Sequence, residues 1–202
     1  MKDKSFSQAK QDLFVLQMLN KKTNGFYLEI GGAWPFDLSN TALLEQNYGW
    51  VGLSYEIMQQ RVDDYNKLRT NKCYCKNATL VDYASEFQKY DFPKQIDYLS
   101  LDIEPHYQTL KCLKKLPLND YRFSVITYEH DSYAGGDVSK MESREILQSY
   151  GYQLIVSDLT HVQNSFEDWY VDPNVIDEEI YSPFIAQILN IVPCLEKNYD
   201  AS

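Results

Sequence analysis

The chain has 202 residues, 44% of them hydrophobic, which is enough for one full core and too few for two large domains. Its 19 basic and 29 acidic residues give a net charge of -10, which would repel a phosphate backbone and argues against nucleic acid as a partner. No apolar stretch approaches the about 18 residues that a membrane span needs, and the N-terminus lacks a secretory signal, so we expect a soluble, cytoplasmic protein.

Apolar segments with strand character alternate along the chain with segments of helical periodicity. An amphipathic helix is predicted over residues 7–19, within an N-terminal segment that we take as 1–22. Strands are predicted at 26–30, 50–56, 73–77, 96–104, 122–130 and 152–159, and helices between them at 40–48, 58–69, 83–90, 107–116 and 139–151. This alternation predicts an α/β fold with a doubly wound, mostly parallel sheet and helices on both faces.

The last part of the chain is rich in aromatic residues. Residues 166–171 predict a short seventh strand that returns antiparallel at an edge of the sheet and ends before Pro173. Residues 174–202 are predicted to form a C-terminal helix and tail. Because no internal repeat, low-complexity segment or linker interrupts the pattern, we interpret residues 1–202 as one domain.

The residues that follow the predicted strands carry most of the chemistry, because ligands of open parallel sheets bind at the carboxyl ends of the strands. All of these ends except the third are acidic. In chain order they are Glu29 with Gly31 and Gly32, Glu56, Asn77 with Ala78, Asp102 with Glu104, and Glu129 with His130 and Asp131.

The turn after the first strand indicates which cofactor such a site would hold. Gly31 and Gly32 are followed by alanine, tryptophan and proline, which is not the G-x-G-x-x-G pattern that cradles a pyrophosphate. Glu56 suits hydrogen bonding to ribose hydroxyls, in a nicotinamide enzyme or in one that uses S-adenosylmethionine. A sulfonium cofactor is positively charged and has no phosphate, so a glycine-poor turn with nearby carboxylates favours S-adenosylmethionine.

Several motifs, in the same order and over nearly the whole chain, resemble those of the FkbM-type S-adenosylmethionine-dependent methyltransferases. The segment SQAKQDLFVL resembles that family's N-terminal helix, NGFYLEIGG its first motif, and LSNTALLEQNYGWVGLSYE the stretch that leads to the acid of the second strand. One branch of the family is similar to IDYLSLDIEP, LPLNDYRFSVITYEHDSY, SREILQSYGYQLIVSDL and EDWYVDP. The resemblance implies a class I methyltransferase fold, which is Rossmann-like, with an antiparallel seventh strand.

The resemblance also assigns roles to residues of the cofactor site. Asp102 would lie below the sulfonium, and Glu56 would bind the ribose. The methionine part would face Gly31 and Gly32, and the adenine would face Asn77, Ala78 and Thr79. The N-terminal helix would close the pocket with Gln8 and Asp12. Cofactor binding and a local structural role both remain open for Glu29, which could brace the loop, and for Ser39 and Asn40, which could cap the next helix.

Two prolines depart from the commoner family pattern. Pro35 stands where the first motif usually has its last glycine, and Pro105 stands where many members have a glycine. Proline has no N–H, so the backbone at position 35 cannot donate a hydrogen bond to the methionine carboxylate. Other groups would then hold that end of the cofactor, and Trp34 would be free to face the acceptor.

The resemblance implies O-methylation of a carbohydrate, for example of a terminal deoxyhexose such as rhamnose, and such modules also occur inside larger glycan-building enzymes. A sugar hydroxyl is a poor nucleophile, so a general base is expected. His130 is the first candidate and His106 the second, and Asp102 and Glu129 are further catalytic candidates. The candidates for acceptor contact are Trp34, Tyr133 and Trp169, which offer aromatic faces, together with Glu104 and His106.

Other interpretations of the same residues remain open. Asp102, Glu129 and His130 would suit Mg2+ or another divalent cation, which would acidify a vicinal diol. The acceptor could instead be another small hydroxylated metabolite. A non-catalytic binding module that retains the fold would explain the two prolines, whereas a metal-dependent hydrolase would leave the parallel-sheet motifs without a role.

Overall fold

The computed structural model describes residues 3–161 and 163–185. Its strands are β1 (Phe26–Ile30), β2 (Val51–Glu56), β3 (Lys72–Cys75), β4 (Gln95–Leu101), β5 (Arg122–Glu129), β6 (Gln153–His161) and β7 (Asn164–Val171). Its helices are α1 (Gln11–Met18), α2 (Ala42–Tyr48), α3 (Gln59–Leu68), α4 (Tyr83–Lys89), α5 (His106–Leu113), the single turn α6 (Ser132–Gly135), α7 (Val138–Ser149) and α8 (Glu178–Ile185). None of the helices in these ranges has the length and apolar character needed to cross a membrane.

The seven strands form one sheet in the order β3-β2-β1-β4-β5-β7-β6. Six strands run parallel, and β7 pairs antiparallel with both of its neighbours, β5 and β6. This arrangement confirms the predicted α/β fold, with its mostly parallel sheet and its antiparallel seventh strand.

Helices cover both faces of the sheet, and strand alternation sorts the side chains between two cores. Leu28 and Leu99 belong to the core that also contains side chains of α4, α5 and α7. Their chain neighbours Tyr27 and Tyr98 belong to the other core, which contains side chains of α1 and α8. The central strands are therefore buried on both faces, and ligands can reach them only from their ends.

The position of β7 differs from the prediction that it lies at an edge. The hairpin that joins β6 to β7 starts at the pair His161 and Asn164 and folds β7 back between β5 and β6. The last six residues of β7 are all buried. This agrees with a strand on each side of β7, and β6 is the outer strand of the sheet. As a result, β7 brings its amino-terminal half beside the carboxyl end of β5.

Several boundaries also differ from the predicted ones, among them those of α1, β3, β4 and α5. β4 ends at Leu101, because the chain turns away toward α5 immediately afterwards, although the Asp102 N–H still bonds to the Ile30 carbonyl at 2.9 Å. The predicted C-terminal helix is present as α8, and the tail at 186–202 lies outside the described residues.

The order in which strands are added to the sheet reverses at β1. From β1 the sheet grows in one direction through β2 and β3, and after β3 the chain crosses over to β4 on the other side of β1. A crevice forms where the two connections diverge, outside the carboxyl ends of β1 and β4, and this is where open α/β sheets bind ligands.

Candidate functional site

The larger of two adjoining cavities opens at this reversal point. Its volume is about 440 Å³, within the range of about 300–1,000 Å³ that is typical of ligand pockets. It lies beyond β1, β2 and β4, and its lining includes the predicted cofactor residues Gly31, Glu56, Asn77, Ala78, Thr79 and Asp102. The structure therefore brings together residues that the sequence places on four separate strand ends.

Gly31 marks a close approach between the chain after β1 and the chain after β4. Its φ is +109°, and a Cβ at this position would lie 1.7 Å from the backbone oxygen of Asp102. Its N–H donates to the Tyr55 carbonyl at 2.9 Å, which fixes the turn on the β2 side as well. Only glycine fits this conformation and this contact. Gly32 is less constrained, since its Cβ would lie 3.0 Å from the Glu29 Oε2 and the Ser54 Cβ.

Glu56 ends β2 with a buried carboxylate at the cavity wall. Its Oε1 accepts hydrogen bonds from the N–H groups of Ile57 and Met58 at 2.8 and 2.7 Å. This leaves Oε2, which lies 3.8 Å from the Arg61 guanidinium, as the oxygen that can accept a hydrogen bond from a ligand. The side chain is thus held in place before any ligand binds, which favours the predicted contact with a diol.

Asn77 shapes the cavity wall beyond β3. Its Oδ1 accepts from both the N–H and the hydroxyl of Thr79, at 3.0 and 2.8 Å, and so caps a short 3₁₀ turn over Ala78–Leu80. Its side-chain oxygen is used locally, which leaves the backbone of this turn and the Asn77 amide group to contact a ligand.

Glu29 and Ser39 brace the loop after β1. The Glu29 carboxylate accepts hydrogen bonds from Thr41 at 2.9 Å and from Ser54 at 2.6 Å. The Ser39 hydroxyl accepts from the Ala42 N–H at 3.2 Å at the start of α2. These contacts are the structural alternative that the sequence left open, although both side chains also line the second cavity.

Arg69, which the sequence analysis did not single out, anchors the same loop. Its buried guanidinium donates to the Pro35 carbonyl at 2.9 Å, to Ser39 at 3.2 Å and to the Glu45 carboxylate at 2.7 Å. Pro35 therefore contributes its carbonyl oxygen to the structure. The loop is rigid because a buried charge holds it in place, in addition to the fixed φ of the proline.

The second cavity is smaller, about 130 Å³, and shares Gly31, Ala33 and Asp102 with the first. The N-terminal segment, the β1 loop and β7 form its other walls, with Gln8, Gln11, Trp34, Asn40 and Glu167 among the lining residues. Asn40 donates from Nδ2 to Ser100 at 3.1 Å, whereas its buried Oδ1 accepts no hydrogen bond from the described residues. This oxygen is available to a donor on a ligand.

Acidic side chains lie at the two cavities and next to them: Asp102 lines both and Glu167 lines the second, whereas Glu129 and Asp131 line neither. Burial raises the pKa of Asp102, and burial together with Asp102 raises the pKa of Glu129 to about 12, so this pair shares a proton at neutral pH. Burial and the nearby Glu104 raise the pKa of Asp131 to about 7. Burial also raises the pKa of Glu167 to about 8, even though hydrogen bonds from Trp169 and Gln11 act against it. Among these carboxyl groups, Glu167 combines a place in a cavity wall with a pKa near neutrality.

His130, the first candidate for the base, lies outside the lining of both cavities. Its side chain is fully buried, its Nδ1 accepts from the Ser132 N–H at 3.2 Å, and its Nε2 lies 3.6 Å from Asp168 Oδ1. Successive residues of a strand point to opposite faces of the sheet. His130 therefore points away from the face on which Glu129 lies near Asp102. In this position it cannot contact a ligand in either cavity.

The same geometry separates the predicted metal ligands. Within residues 3–161 and 163–185, the potential ligand atoms that come within 4.8 Å of one another as a group belong to His130, Asp158 and Asp168, and this group does not include Asp102 or Glu129. Arg144 binds both of these aspartates at 2.7 Å. The group is an ion-pair cluster in which Arg144, together with Lys140 at 3.0 Å from Asp158, balances the charges of the two carboxylates.

Two other predicted acceptor residues lie away from the cavities. His106 begins α5 with its ring against α6, where a Cβ on Gly135 would lie 1.7 Å from the imidazole. Trp169 is fully buried, packs on Phe14 with ring centroids 4.5 Å apart, and donates its indole N–H to Glu167 at 2.8 Å. With no exposed face, Trp169 supports Glu167 and has no surface with which to stack on a sugar.

The remaining acceptor candidates are accessible. Trp34 is 47% exposed, lines the second cavity and lies under the Arg61 guanidinium, 5.1 Å from the ring centroid. Glu104 lines the first cavity. Tyr133 is exposed on α6, close enough to Asp131 for that carboxyl to raise its pKa. Trp34 is therefore the aromatic face best placed for an acceptor.

The two N-terminal residues that the resemblance assigned to the pocket lie in different environments. Gln8 is exposed and lines the second cavity. Asp12 is fully buried and accepts hydrogen bonds from the Ser5 hydroxyl and the Phe6 N–H at 2.6 and 2.8 Å, so it folds the segment back onto α1. Gln11, which sequence reasoning missed, reaches the cavity and donates to Glu167 at 2.8 Å.

No protein-family model and no curated protein sequence matches the chain. Solved structures are similar to it over most of its length. They include a putative rRNA methylase from Clostridium thermocellum (TM-score 0.56, 11% identity, 85% of this chain and 97% of that one) and the N-methyltransferase NodS from Bradyrhizobium japonicum WM9 (TM-score 0.52, 10% identity, 86% and 99%). A SAM-dependent methyltransferase from Aquifex aeolicus is similar at a TM-score of 0.50 (13% identity, 83% and 94%).

At these identities the similarity shows the fold alone. The chain has the Rossmann-like fold of class I methyltransferases, as the resemblance had implied. Because one of these structures is a putative rRNA methylase, the fold gives no support to the expectation, based on net charge, that nucleic acid is excluded.

Proposed function

We propose that the chain is an S-adenosylmethionine-dependent O-methyltransferase that acts on a hydroxyl of a sugar or glycan. The observation that carries the proposal is the junction of two cavities at Gly31, Ala33 and Asp102, at the reversal point of the sheet. Methyl transfer needs two ligands whose reacting atoms meet in one place, and this junction supplies that place. The methyltransferase fold supports the reaction type, and the FkbM-type motifs support the acceptor class.

The residues of the first cavity fit the cofactor. Glu56 Oε2 can accept from ribose hydroxyls, and the Gly31 turn lets a ligand approach the backbone closely. Asp102 places a carboxyl group at the junction, where a positive charge is complementary. When bound, S-adenosylmethionine supplies an electrophilic methyl group on a sulfonium.

The second cavity has the character of an acceptor site for a hydroxylated molecule. Its lining combines the exposed ring of Trp34 with the polar side chains of Gln8, Ser39 and Asn40. The Asn40 Oδ1, to which none of the described residues donates a hydrogen bond, is an acceptor suited to a hydroxyl group. An aromatic face beside fixed hydrogen-bonding groups is typical of sugar recognition.

Calorimetry with S-adenosylhomocysteine tests the cofactor half of the proposal. We expect micromolar affinity for the wild-type chain, a loss of at least about tenfold in Asp102→Ala, because its carboxyl lies at the junction, and an unchanged affinity in Glu145→Gln, an exposed acid on α7. No binding at high micromolar ligand would contradict the proposal and would leave a non-catalytic module as the better interpretation.

Mass spectrometry after incubation with S-adenosylmethionine tests the acceptor half. The panel contains glycosides with terminal deoxyhexoses, other sugars, small hydroxylated metabolites and structured RNA, each with and without a chelator. We expect a mass gain of one methyl group on a sugar. Methylation of RNA or of a non-sugar metabolite alone would overturn the carbohydrate assignment, and loss of the product with the chelator would show that a divalent cation takes part.

A further inference from the structure

Glu167 projects from β7 into the second cavity. Its side chain is 2% exposed and lines that cavity together with Asn40 and Trp34. The indole N–H of Trp169 and the amide of Gln11 both donate to the same oxygen, Oε2, each at 2.8 Å. Because β7 and α1 hold Oε2 from two directions, the carboxylate has a fixed orientation. The Thr127 hydroxyl on β5 is a further hydrogen-bonding neighbour of this carboxyl, and neither Trp169 nor Gln11 occupies Oε1.

Glu167 lies beside other acidic side chains. Its cross-strand partner on β5 is Glu129, and the carboxyl of Asp102 also acts on it. None of the ion pairs among residues 3–161 and 163–185 includes Glu167. Buried acidic side chains that face each other with no basic partner can ionise only at a high cost in free energy, so this arrangement is costly for the fold and calls for another explanation.

We propose that Glu167 is the general base of the reaction, which takes the proton from the acceptor hydroxyl in the second cavity; this inference rests on the proposed methyltransferase function. The acceptor oxygen forms its bond to the methyl carbon as the carbon–sulfur bond of the cofactor breaks. The electron pair of that bond stays on sulfur, which becomes a neutral thioether, and the hydroxyl proton goes to Glu167. One positive charge on the sulfonium and one negative charge on the carboxylate are neutralised together.

The position of Glu167 satisfies the geometric requirement that His130 fails, since a base must reach the proton that it removes. Its pKa, raised by burial to about 8, also makes it a stronger base than an ordinary carboxylate. The unprotonated form predominates above that pH. The rate is therefore expected to rise with pH until about 8 and to level off above it.

The first test needs no acceptor. In 1H–15N NMR spectra, the indole signal of Trp169, assigned by its loss in Trp169→Phe, reports the charge of the carboxylate that it binds. We expect this signal to titrate with a midpoint near pH 8 in the wild-type chain and in Glu145→Gln, and to be independent of pH in Glu167→Gln. A signal that stays constant between pH 6 and 10 in the wild-type chain would overturn the inference.

The second test uses an acceptor identified by the mass-spectrometric screen. We expect Glu167→Gln to bind S-adenosylhomocysteine within threefold of wild type and to lose about 10²- to 10⁴-fold in kcat, with no remaining rise toward pH 8. Glu167→Asp, which keeps the acid but withdraws it by one methylene group, should lose at least about tenfold, and it decides the matter if Glu167→Gln does not fold. Turnover within threefold of wild type in either folded variant would overturn the role of Glu167. Absence of S-adenosylhomocysteine binding in the wild-type chain would instead overturn the proposed function.

Discussion

The Gly31→Ala variant tests where the cofactor binds, and Gly151→Ala is its matched control. Both glycines have positive φ, +109° and +82°. A Cβ on Gly151 would meet no atom of the described residues within 4 Å, whereas a Cβ on Gly31 would lie 1.7 Å from the Asp102 backbone oxygen. The two variants therefore share the conformational strain of alanine at positive φ, and only Gly31→Ala adds a backbone clash.

The magnitudes follow from these two contributions. Alanine in the left-handed region costs about 1 kcal/mol, and forcing an extra group into a packed contact adds about 1–3 kcal/mol. For a domain of this size, each kcal/mol lowers the Tm by about 2–4 °C. We expect Gly151→Ala to lower the Tm by about 2–4 °C and Gly31→Ala by about 5–15 °C in a thermal melt followed by circular dichroism.

Cofactor affinity gives the sharper contrast. To relieve the clash, β1 and the end of β4 must move apart by more than about 1 Å. Loss of two hydrogen bonds to the ligand through this movement, at about 1.5 kcal/mol each, costs about 10²-fold in affinity. Calorimetry should show at least about a 100-fold loss of S-adenosylhomocysteine affinity in Gly31→Ala and less than a twofold change in Gly151→Ala. Equal Tm losses and equal affinities in the two variants would refute the close approach of β1 to β4 and the placement of the cofactor there.

Glu56→Gln should weaken S-adenosylhomocysteine about tenfold, because a charge-assisted hydrogen bond becomes a neutral one, with little change in Tm; an unchanged affinity in calorimetry would show that this side chain does not bind the ligand. His130→Ala should lower the free energy of unfolding by about 2–4 kcal/mol, because it leaves a cavity beside Asp168, and should leave the affinity within twofold. A loss of affinity without a loss of stability would instead return His130 to the site. Because the folded state raises the pKa of Glu167 to about 8 and of Asp131 to about 7, it binds more protons than the unfolded chain above pH 4.5, and the free energy of unfolding should fall as pH rises. Between pH 6 and 8 Glu167 alone accounts for about 2 kcal/mol of this decrease, so urea denaturation of Glu167→Gln should show a weaker dependence on pH, and equal slopes would contradict the reasoning.

Local pattern was sufficient to predict the fold and the edge of the sheet that carries the first cavity. The alternation of strands and helices fixes a parallel sheet, and ligands of such sheets bind at the carboxyl ends of the strands. Gly31, Glu56 and Asp102 all lie at the carboxyl ends of strands with clear apolar runs, and all three line the first cavity. Their roles toward a ligand remain predictions for the experiments above.

The second cavity could not be predicted in the same way, because it depends on contacts between distant parts of the chain. Gln11 and Glu167 are 156 residues apart in sequence and form a hydrogen bond. A strand placed at the edge of the sheet would have left Glu167 exposed, whereas the insertion of β7 between β5 and β6 buries it. Whether His130 or Glu129 faces the site also depends on which face of the sheet each residue points to at the end of β5, since adjacent residues there face different environments.

Two consecutive residues of β7 show how the fold treats its buried acids differently on the two faces of the sheet. Asp168 faces His130 and Arg144, and although burial alone would raise its pKa, the hydrogen bonds from these side chains hold that pKa below the usual value. Glu167 faces Asp102 across the second cavity, and its pKa is raised because burial outweighs its neutral hydrogen-bond donors. A carboxylate with only a structural role is expected to be paired as Asp168 is, since pairing offsets the free-energy cost of burying its charge. The stability given up at Glu167 is therefore better explained by the site that it faces than by the sheet that carries it.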